Sequence, residues 1–448
     1  MLLGAFGTKR KTEREVSSGK KAQPPQYELI VPSPDPFFPP HHAFRWAMLV
    51  FSSVLISRVA IIAFMYLATK GQEYTNDAII WKDLSEDPLQ LIAGWGTFQA
   101  QYPPLQPILE ALIYRPIQHW LGDFIALRGT SALYEAAGAG LLAVLLARLR
   151  VNVLIGSLVL ATLVFNPIGW VTSALWGEDE AMFFTAATAV LLLIHKNRPL
   201  AALLVASIAV VAIKIFFLVL LLPMIVFLPW ASLPKRAVVA ATPIILIYCV
   251  SFVGNLIFLG HINFGLLAFE PDNDFAISFW SAMTVLLHWP PPSIQRPVAG
   301  FLSLLAGISI CAAVRYHRQS LRFDQLALLS AVLMMWVLFL FYHINPEYYI
   351  FLFPFCFVLV RTPFDFFFFT ALGFVCWGVN YAFAIRNNVN SPNPVHQKII
   401  AFYTAHVPIN INALHPLMLI MFAVLCAVFA ARMTVLLWRN INAVPTTN

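Results

Sequence analysis

The residues best suited to proton chemistry in this chain are carboxylates set in short polar breaks between long apolar runs. The first break reads Tyr74-Thr75-Asn76-Asp77-Ala78-Ile79-Ile80-Trp81-Lys82-Asp83, with Gln101-Tyr102-Pro103-Pro104-Leu105 after it. A carboxylate held beside a bilayer can act as a general base on a substrate that a lipid delivers. On a helix Asp77 and Asp83 would stand about 120° apart, so they do not share a face. Asp77 lies nearer the preceding apolar run and is the better placed for a cavity at the membrane. It also fits a purely structural part, because Asn-Asp ahead of an apolar stretch is a helix start signal. Tyr102-Pro103-Pro104 fixes an extended backbone and releases a helix at Leu105.

Three further places carry the same interest. Trp176-Gly177-Glu178-Asp179-Glu180 puts three acids in a row where two apolar runs meet. Acids suit a helix N-terminus, but three exceed what a cap needs, and Trp176 offers a stacking face for a sugar. Lys214 interrupts Val211-Ala212-Ile213-Lys214-Ile215-Phe216-Phe217. An ionisable residue inside such a run is functional by default, although a lysine can also snorkel to the interface. Arg58, deep in the first run, poses the same question, with a buried ion pair as the alternative. Tyr342-His343-Ile344-Asn345-Pro346-Glu347-Tyr348-Tyr349 supplies a histidine that can donate to a phosphate oxygen or titrate. Its two tyrosines fit an aromatic belt at a membrane surface.

The elements that must position these residues are membrane helices. Of the 448 residues 60% are hydrophobic and only 11% charged, and the mean hydropathy is +0.77, against roughly 25% charged residues in soluble domains. Ten spans follow from about 20 apolar residues per crossing: 44–69, 127–147, 153–172, 180–195, 237–259, 297–314, 324–342, 348–361, 364–383 and 413–436. The stretch 200–230 is long for one span and short for two. Basic residues flank the other spans at Arg148/Arg150, Lys196/Arg198, Lys235/Arg236, Arg315/Arg318/Arg322, Arg361 and Arg432/Arg439. If all of these are cytoplasmic, 200–230 is a hairpin of two short or re-entrant helices with Lys214 near its turn. The expectation is thus an all-α transmembrane bundle of about 12 spans with both termini inside.

That topology accounts for the basic balance of +7. Most Lys and Arg fall inside as an orientation signal and most acids outside, which argues against a nucleic-acid backbone as partner. Residues 1–43 read as a disordered cytoplasmic tail, 44–361 as the core, and 362–448 as C-terminal helices with an outer loop at 384–412. Two other outer loops, 70–126 and 260–296, are long enough to hold a site. In the first, Leu105–Trp120 reads as an amphipathic helix at the interface, with polar breaks at Glu110, Arg115 and Gln118. The five cysteines, Cys249, Cys311, Cys356, Cys376 and Cys426, stand singly, so neither a disulfide framework nor a zinc set is indicated. No nucleotide loop and no defensible Ser/His/Asp order is present, and no internal repeat supports a paired-repeat transporter.

In order and layout these residues resemble the GT-C membrane glycosyltransferases, which take sugars from polyprenyl-phosphate carriers. The first outer loop of the GPI mannosyltransferase I catalytic subunit has a Tyr-Thr-Asp-x-Asp run, an aromatic four residues after the second Asp, and an Asp two beyond. Asp77, Trp81 and Asp83 reproduce that later spacing, with Asn76 where an Asp is expected. Tyr102-Pro103-Pro104-Leu105 is similar to the Asp-Tyr-Pro-Pro-Leu of the glucosyltransferases that extend lipid-linked oligosaccharides, with Gln101 in place of their Asp. Asn166-Pro167 through Gly177, Lys214-Ile215 with Pro223, and Phe341 to Phe355 resemble later family segments, so the likeness runs through residues 44–361.

The resemblance implies an inverting transfer of a hexose, mannose or glucose, to an acceptor hydroxyl on the non-cytoplasmic face. Asp77 would be the base. Lys214, His343 and Arg58 would hold the donor phosphate. Asp83, Tyr102, Trp176, Glu178, Asp179 and Glu347 would contact sugar or acceptor. The partners expected are a polyprenyl-phosphate sugar, a glycan, glycolipid or protein acceptor, and the lipid bilayer, without nucleic acid. No cofactor is required; divalent metal use stays open because the first acidic position is lost. The membrane would be the cell membrane, or the endoplasmic reticulum membrane in a eukaryote. A transporter or lipid flippase would need polar groups along the spans, where there are few; a non-catalytic GT-C subunit is the other alternative.

Overall fold

The computed structural model describes residue 30 and residues 32–71, 105–259, 278–287, 292–341, 344–387, 394–406 and 408–442. Among the described residues the chain is helical and contains no strand. Helix α1 is Ala43–Thr69, α2 Gln106–Leu121, α3 Asp123–Leu149 and α4 Val153–Phe165. After α4 a short turn, Pro167–Gly169, passes into a π-helical turn, Trp170–Trp176. Then come α5 Ala181–His195, α6 Pro199–Ala212, α7 Phe217–Phe227, α8 Leu233–Leu259, α9 Phe279–Leu287, α10 Pro292–His317 and α11 Phe323–Leu340. A 3-10 segment, Pro346–Phe355, precedes α12 Pro363–Asn387, α13 Pro394–His406 and α14 Ile411–Asn442.

Among the described residues seven helical stretches are long and apolar enough to cross a membrane, and there are five shorter apolar helices of 10–17 residues. The chain is therefore a multi-pass membrane protein by length and composition of its helices. Its exposed side chains agree. Along α8 the outward residues include Val238, Ile245, Leu246, Val250, Val253 and Ile257, an apolar surface suited to lipid tails. Helix α11 is the most enclosed of the long spans and α8 the least.

Packing between helices in lipid depends on close van der Waals fit, so small residues belong at the contacts. Helix α3 runs between α1 and α5 and shows this directly. A Cβ added at Gly138 would lie 2.8 Å from the Phe184 ring of α5, and one at Gly140 would lie 3.2 Å from the Ala47 carbonyl of α1. Ala132, Ala136, Ala139 and Ala143 on the same helix are buried.

Two local expectations hold. The stretch Leu105–Trp120 is the helix α2, and residues 200–230 form two helices, α6 and α7, broken at Ile213–Phe216 with Lys214 in the break. One needs correcting. The segment before α1 is not loose up to residue 43. Ser33 and Phe37 donate backbone hydrogen bonds to the Arg150 and Val151 carbonyls (2.8 and 3.0 Å), and Phe38 is buried against the core. These bonds satisfy carbonyls at the C-terminal end of α3, which no helical N–H reaches.

Candidate functional site

Four segments distant in sequence bring charged groups to one place. The first is the turn before α5. Gly177 closes the π-helical turn at φ +79°, a left-handed conformation natural to glycine, and a Cβ there would press on Leu127 at 2.8 Å. The Glu178 N–H donates to the Thr172 carbonyl (2.8 Å) and its own carbonyl accepts from the Ser131 hydroxyl. The turn delivers Glu178, Asp179 and Glu180 to the start of α5, with a carboxylate oxygen from each within 4.8 Å of the others. A helix dipole favours acids by about 0.3–1 kcal/mol at an exposed end. Asp179 and Glu180 are instead almost fully buried, so the dipole alone does not account for them.

The second segment is the break between α6 and α7. A run rich in β-branched residues, Val210, Val211, Ile213 and Ile215, weakens the helix there, and Phe217 restarts it by donating to the Lys214 carbonyl (3.1 Å). The Lys214 ammonium lies 2.9 Å from Glu180 Oε1 and 3.5 Å from Asp179 Oδ1, with 12% of its side chain exposed. It also sits 5.5 Å from the centre of the Tyr348 ring, which belongs to the third segment, Pro346–Phe355. The preceding residue, Glu347, is buried. Tyr348 stacks on Phe351, which touches Phe183 and Phe216; the polar cluster therefore has an aromatic wall.

The fourth segment is α2, held to the end of α6 by the Leu105 N–H on the Val211 carbonyl (3.1 Å). Gln106, Glu110 and Tyr114 recur every fourth residue and form one face. All three are buried, while Leu112, Trp120 and Leu121 are exposed. The helix thus turns a polar stripe inward and an apolar one outward, as an interfacial helix should. Neither Glu110 oxygen has a hydrogen-bond partner among the described residues. Burial pushes the Glu110 carboxyl well above the usual carboxylate range; the nearby charges of Asp179 and Glu180 add to this and Lys214 opposes it.

Of the residues singled out by sequence, Lys214 and Asp179 are in direct contact, Glu178 shares the turn of Asp179, and Glu347 adjoins Tyr348. Trp176 ends the π-helical turn, half-buried beside Gly177. Asp77, Asp83, Tyr102 and His343 lie outside the described residues. Glu110 is not among the site candidates of the sequence, and Glu180 belongs to the singled-out run of three acids without a role assigned to it there. The signal for Glu110 was the four-residue spacing from Gln106 to Tyr114. Tyr349 does not form part of an interfacial belt; it is buried and packs on Phe422.

The expectation for Arg58 needs correcting as well. Its guanidinium is fully buried and binds Glu135 twice, Nε to Oε2 at 2.8 Å and Nη2 to Oε1 at 2.5 Å. Its other donors go to Ser57 Oγ (3.0 Å), the Val164 carbonyl (3.2 Å) and the Leu163 carbonyl (2.9 Å). A guanidinium has five N–H donors, so none is left for a phosphate. The two carbonyls are orphans of the Asn166-Pro167 break. Pro167 has no N–H for Leu163, and the Ile168 N–H turns to Asn166 Oδ1 (3.0 Å) instead of Val164. Arg58 closes that break, and Ser173 adds a further hydrogen bond to Glu135.

The chain matches no protein-family model, no curated protein and no solved structure. The functional reading therefore stands on the residues and their geometry.

Proposed function

We propose that this chain is a membrane glycosyltransferase that moves a hexose, mannose or glucose, from a polyprenyl phosphate to an acceptor hydroxyl. The observation that carries the reading is Lys214: a cation set in a break between two apolar helices, held by Asp179 and Glu180 and flanked by the Tyr348 ring. A fixed ammonium in a water-poor site is suited to a phosphate that gains charge as its bond to the sugar breaks. The aromatic wall beside it suits the lipid portion of such a donor. The resemblance of residues 44–361 to the GT-C enzymes supports the same chemistry, and with it a twelve-span bundle whose site faces the non-cytoplasmic side.

In this reading Asp77 takes the proton of the acceptor hydroxyl as that oxygen attacks the anomeric carbon. The bond from that carbon to the phosphate oxygen breaks on the opposite face, the configuration inverts, and polyprenyl phosphate leaves. Lys214 and His343 stabilise the leaving phosphate. Asp179 and Glu180 orient Lys214, while Glu178, Glu347, Trp176, Asp83 and Tyr102 contact sugar or acceptor. The protein purified in lipid nanodiscs should bind a polyprenyl-phosphate hexose, and Lys214→Ala should weaken that binding by about 2 kcal/mol, the scale of a lost charge-assisted hydrogen bond. Unchanged donor affinity in both Lys214→Ala and His343→Ala would remove the phosphate site from this place.

A further inference from the structure

We propose that the basic cluster where α8 starts and α10 ends binds the headgroup phosphate of an anionic phospholipid. Arg236 is the first observation. It is only 5% exposed, yet among the described residues no carboxylate pairs with it. Its Nη2 donates to the Val226 carbonyl (3.1 Å), one of those that the end of α7 leaves without a helical donor. Its Nε is buried and has no acceptor. Capping α7 uses one donor and leaves a buried cation without a counter-charge, which is costly. The described chain from Phe217 to His317 contains no Asp or Glu to supply one. The next described acids, Asp324 and Asp365, pair with Arg322 and Arg432.

Helix α10 brings a second arginine to the same end. A Cβ at Gly307 would stand 3.7 Å from Leu222 of α7. Cys311 and Arg315 follow Gly307 at four-residue steps and share its face. Val226 is one turn beyond Leu222, and Arg315 is two turns beyond Gly307. Arg315 therefore emerges past the last turn of α7, where Arg236 lies and feels it as a like charge. Lys235 adds a third cation, its ammonium 6.0 Å from the centre of the Trp230 ring. Lys235 and Arg236 belong to the first turn of α8 and Arg315 to the last turn of α10. That is the depth of lipid headgroups, and Trp230 suits the same level.

A phosphodiester answers each of these features. Its oxygens accept from two guanidinium groups at once. It supplies the acceptor and the counter-charge that Arg236 lacks, and it offsets the repulsion from Arg315. Basic flanks that orient a span need charge at the membrane surface; they do not need a buried arginine without an acid. Basic pockets between helices at a membrane face are suited to anionic headgroups. A choline headgroup, which carries its own cation, would be repelled. The site is independent of glycosyl transfer.

The full chain, purified in detergent, would be titrated with phosphatidylglycerol or phosphatidylcholine, and the lipid adducts followed by native mass spectrometry. One phosphatidylglycerol should bind ahead of further copies, about 10-fold or more tighter than phosphatidylcholine, since each cation near an anionic headgroup contributes about 1 kcal/mol. Arg315→Gln, at an exposed position, should weaken that binding about 5-fold, the same contribution expressed as a ratio. Arg236→Gln should weaken it at least as much. Arg45→Gln, at an exposed position on α1, should leave it unchanged. Excess inorganic phosphate should not displace the lipid, whose chains add apolar contact. Thermal unfolding would establish that each variant is folded, and Arg315→Gln decides alone if Arg236→Gln is not. Equal affinity for the two lipids would overturn the proposal. So would full affinity in folded Arg315→Gln, an equal loss in Arg45→Gln, or displacement by inorganic phosphate, which would mark a site for free anions.

Discussion

Removing one partner of a buried ion pair strands the other charge in a medium that solvates it poorly, at a cost of about 3–5 kcal/mol. Arg58→Met would do this to Glu135 and would also free the Leu163 carbonyl that Arg58 Nη2 now satisfies. Thermal unfolding in detergent should therefore show severe destabilisation. Adding Glu135→Leu should recover much of it, because an apolar pair of similar volume often serves as well as the ions. Recovery should stay incomplete, since an orphan buried carbonyl still costs about 1–3 kcal/mol. Normal stability in Arg58→Met together with weaker donor binding would return Arg58 to the phosphate site. Lys214 is the opposite case: its partners are the acids of the turn before α5, and it borders the Tyr348 ring. Both cations stand out in the sequence as charges in apolar runs. Only the pairing separates them, and the Arg58–Glu135 contact spans 77 positions, a distance at which no local pattern operates.

Helices are the scale at which the sequence was most legible. Composition and the length of apolar runs gave a helical membrane protein, and the basic flanks at Arg198 and Lys235 required the break that Lys214 occupies. Helix α2 was legible as amphipathic, but its inward face was not. In a soluble helix the buried stripe is apolar; here lipid takes the apolar side and Gln106, Glu110 and Tyr114 turn inward. The ordered segment 32–42 was not legible, since its backbone hydrogen bonds to Arg150 and Val151 and the burial of Phe38 both depend on partners far along the chain. Helix contacts yield a test by one substitution at two sites. Gly138→Ala would force a methyl to 2.8 Å from the Phe184 ring and should destabilise by about 1–3 kcal/mol, as overpacking does. Gly300→Ala on α10 meets nothing within 4 Å and should stabilise by up to about 1 kcal/mol through helix propensity. Unfolding temperatures that move in the same direction would contradict the packing described for α3.

At the scale of the whole molecule, the described residues form a bundle of apolar helices with a charged cluster where α2, the α5 turn, the α6–α7 break and the Pro346–Phe355 segment meet. Sequence located three of those four contributions, because three acids in a row, a lysine in an apolar run and an acid between two spans are each locally unusual. It could not show that they meet, since convergence is a property of packing. The central claim is that this assembly transfers a hexose from a polyprenyl phosphate with Asp77 as base. The most direct measurement is the release of mannose or glucose from its polyprenyl phosphate by the purified protein, with water as acceptor, for the wild type and Asp77→Asn. Asparagine caps a helix about as well as aspartate, so the variant should keep the wild-type unfolding temperature. Its rate should fall by about 10²–10⁴-fold, the contribution of a general base. Near-normal release by Asp77→Asn, or no release of either hexose by folded wild-type protein, would contradict the account.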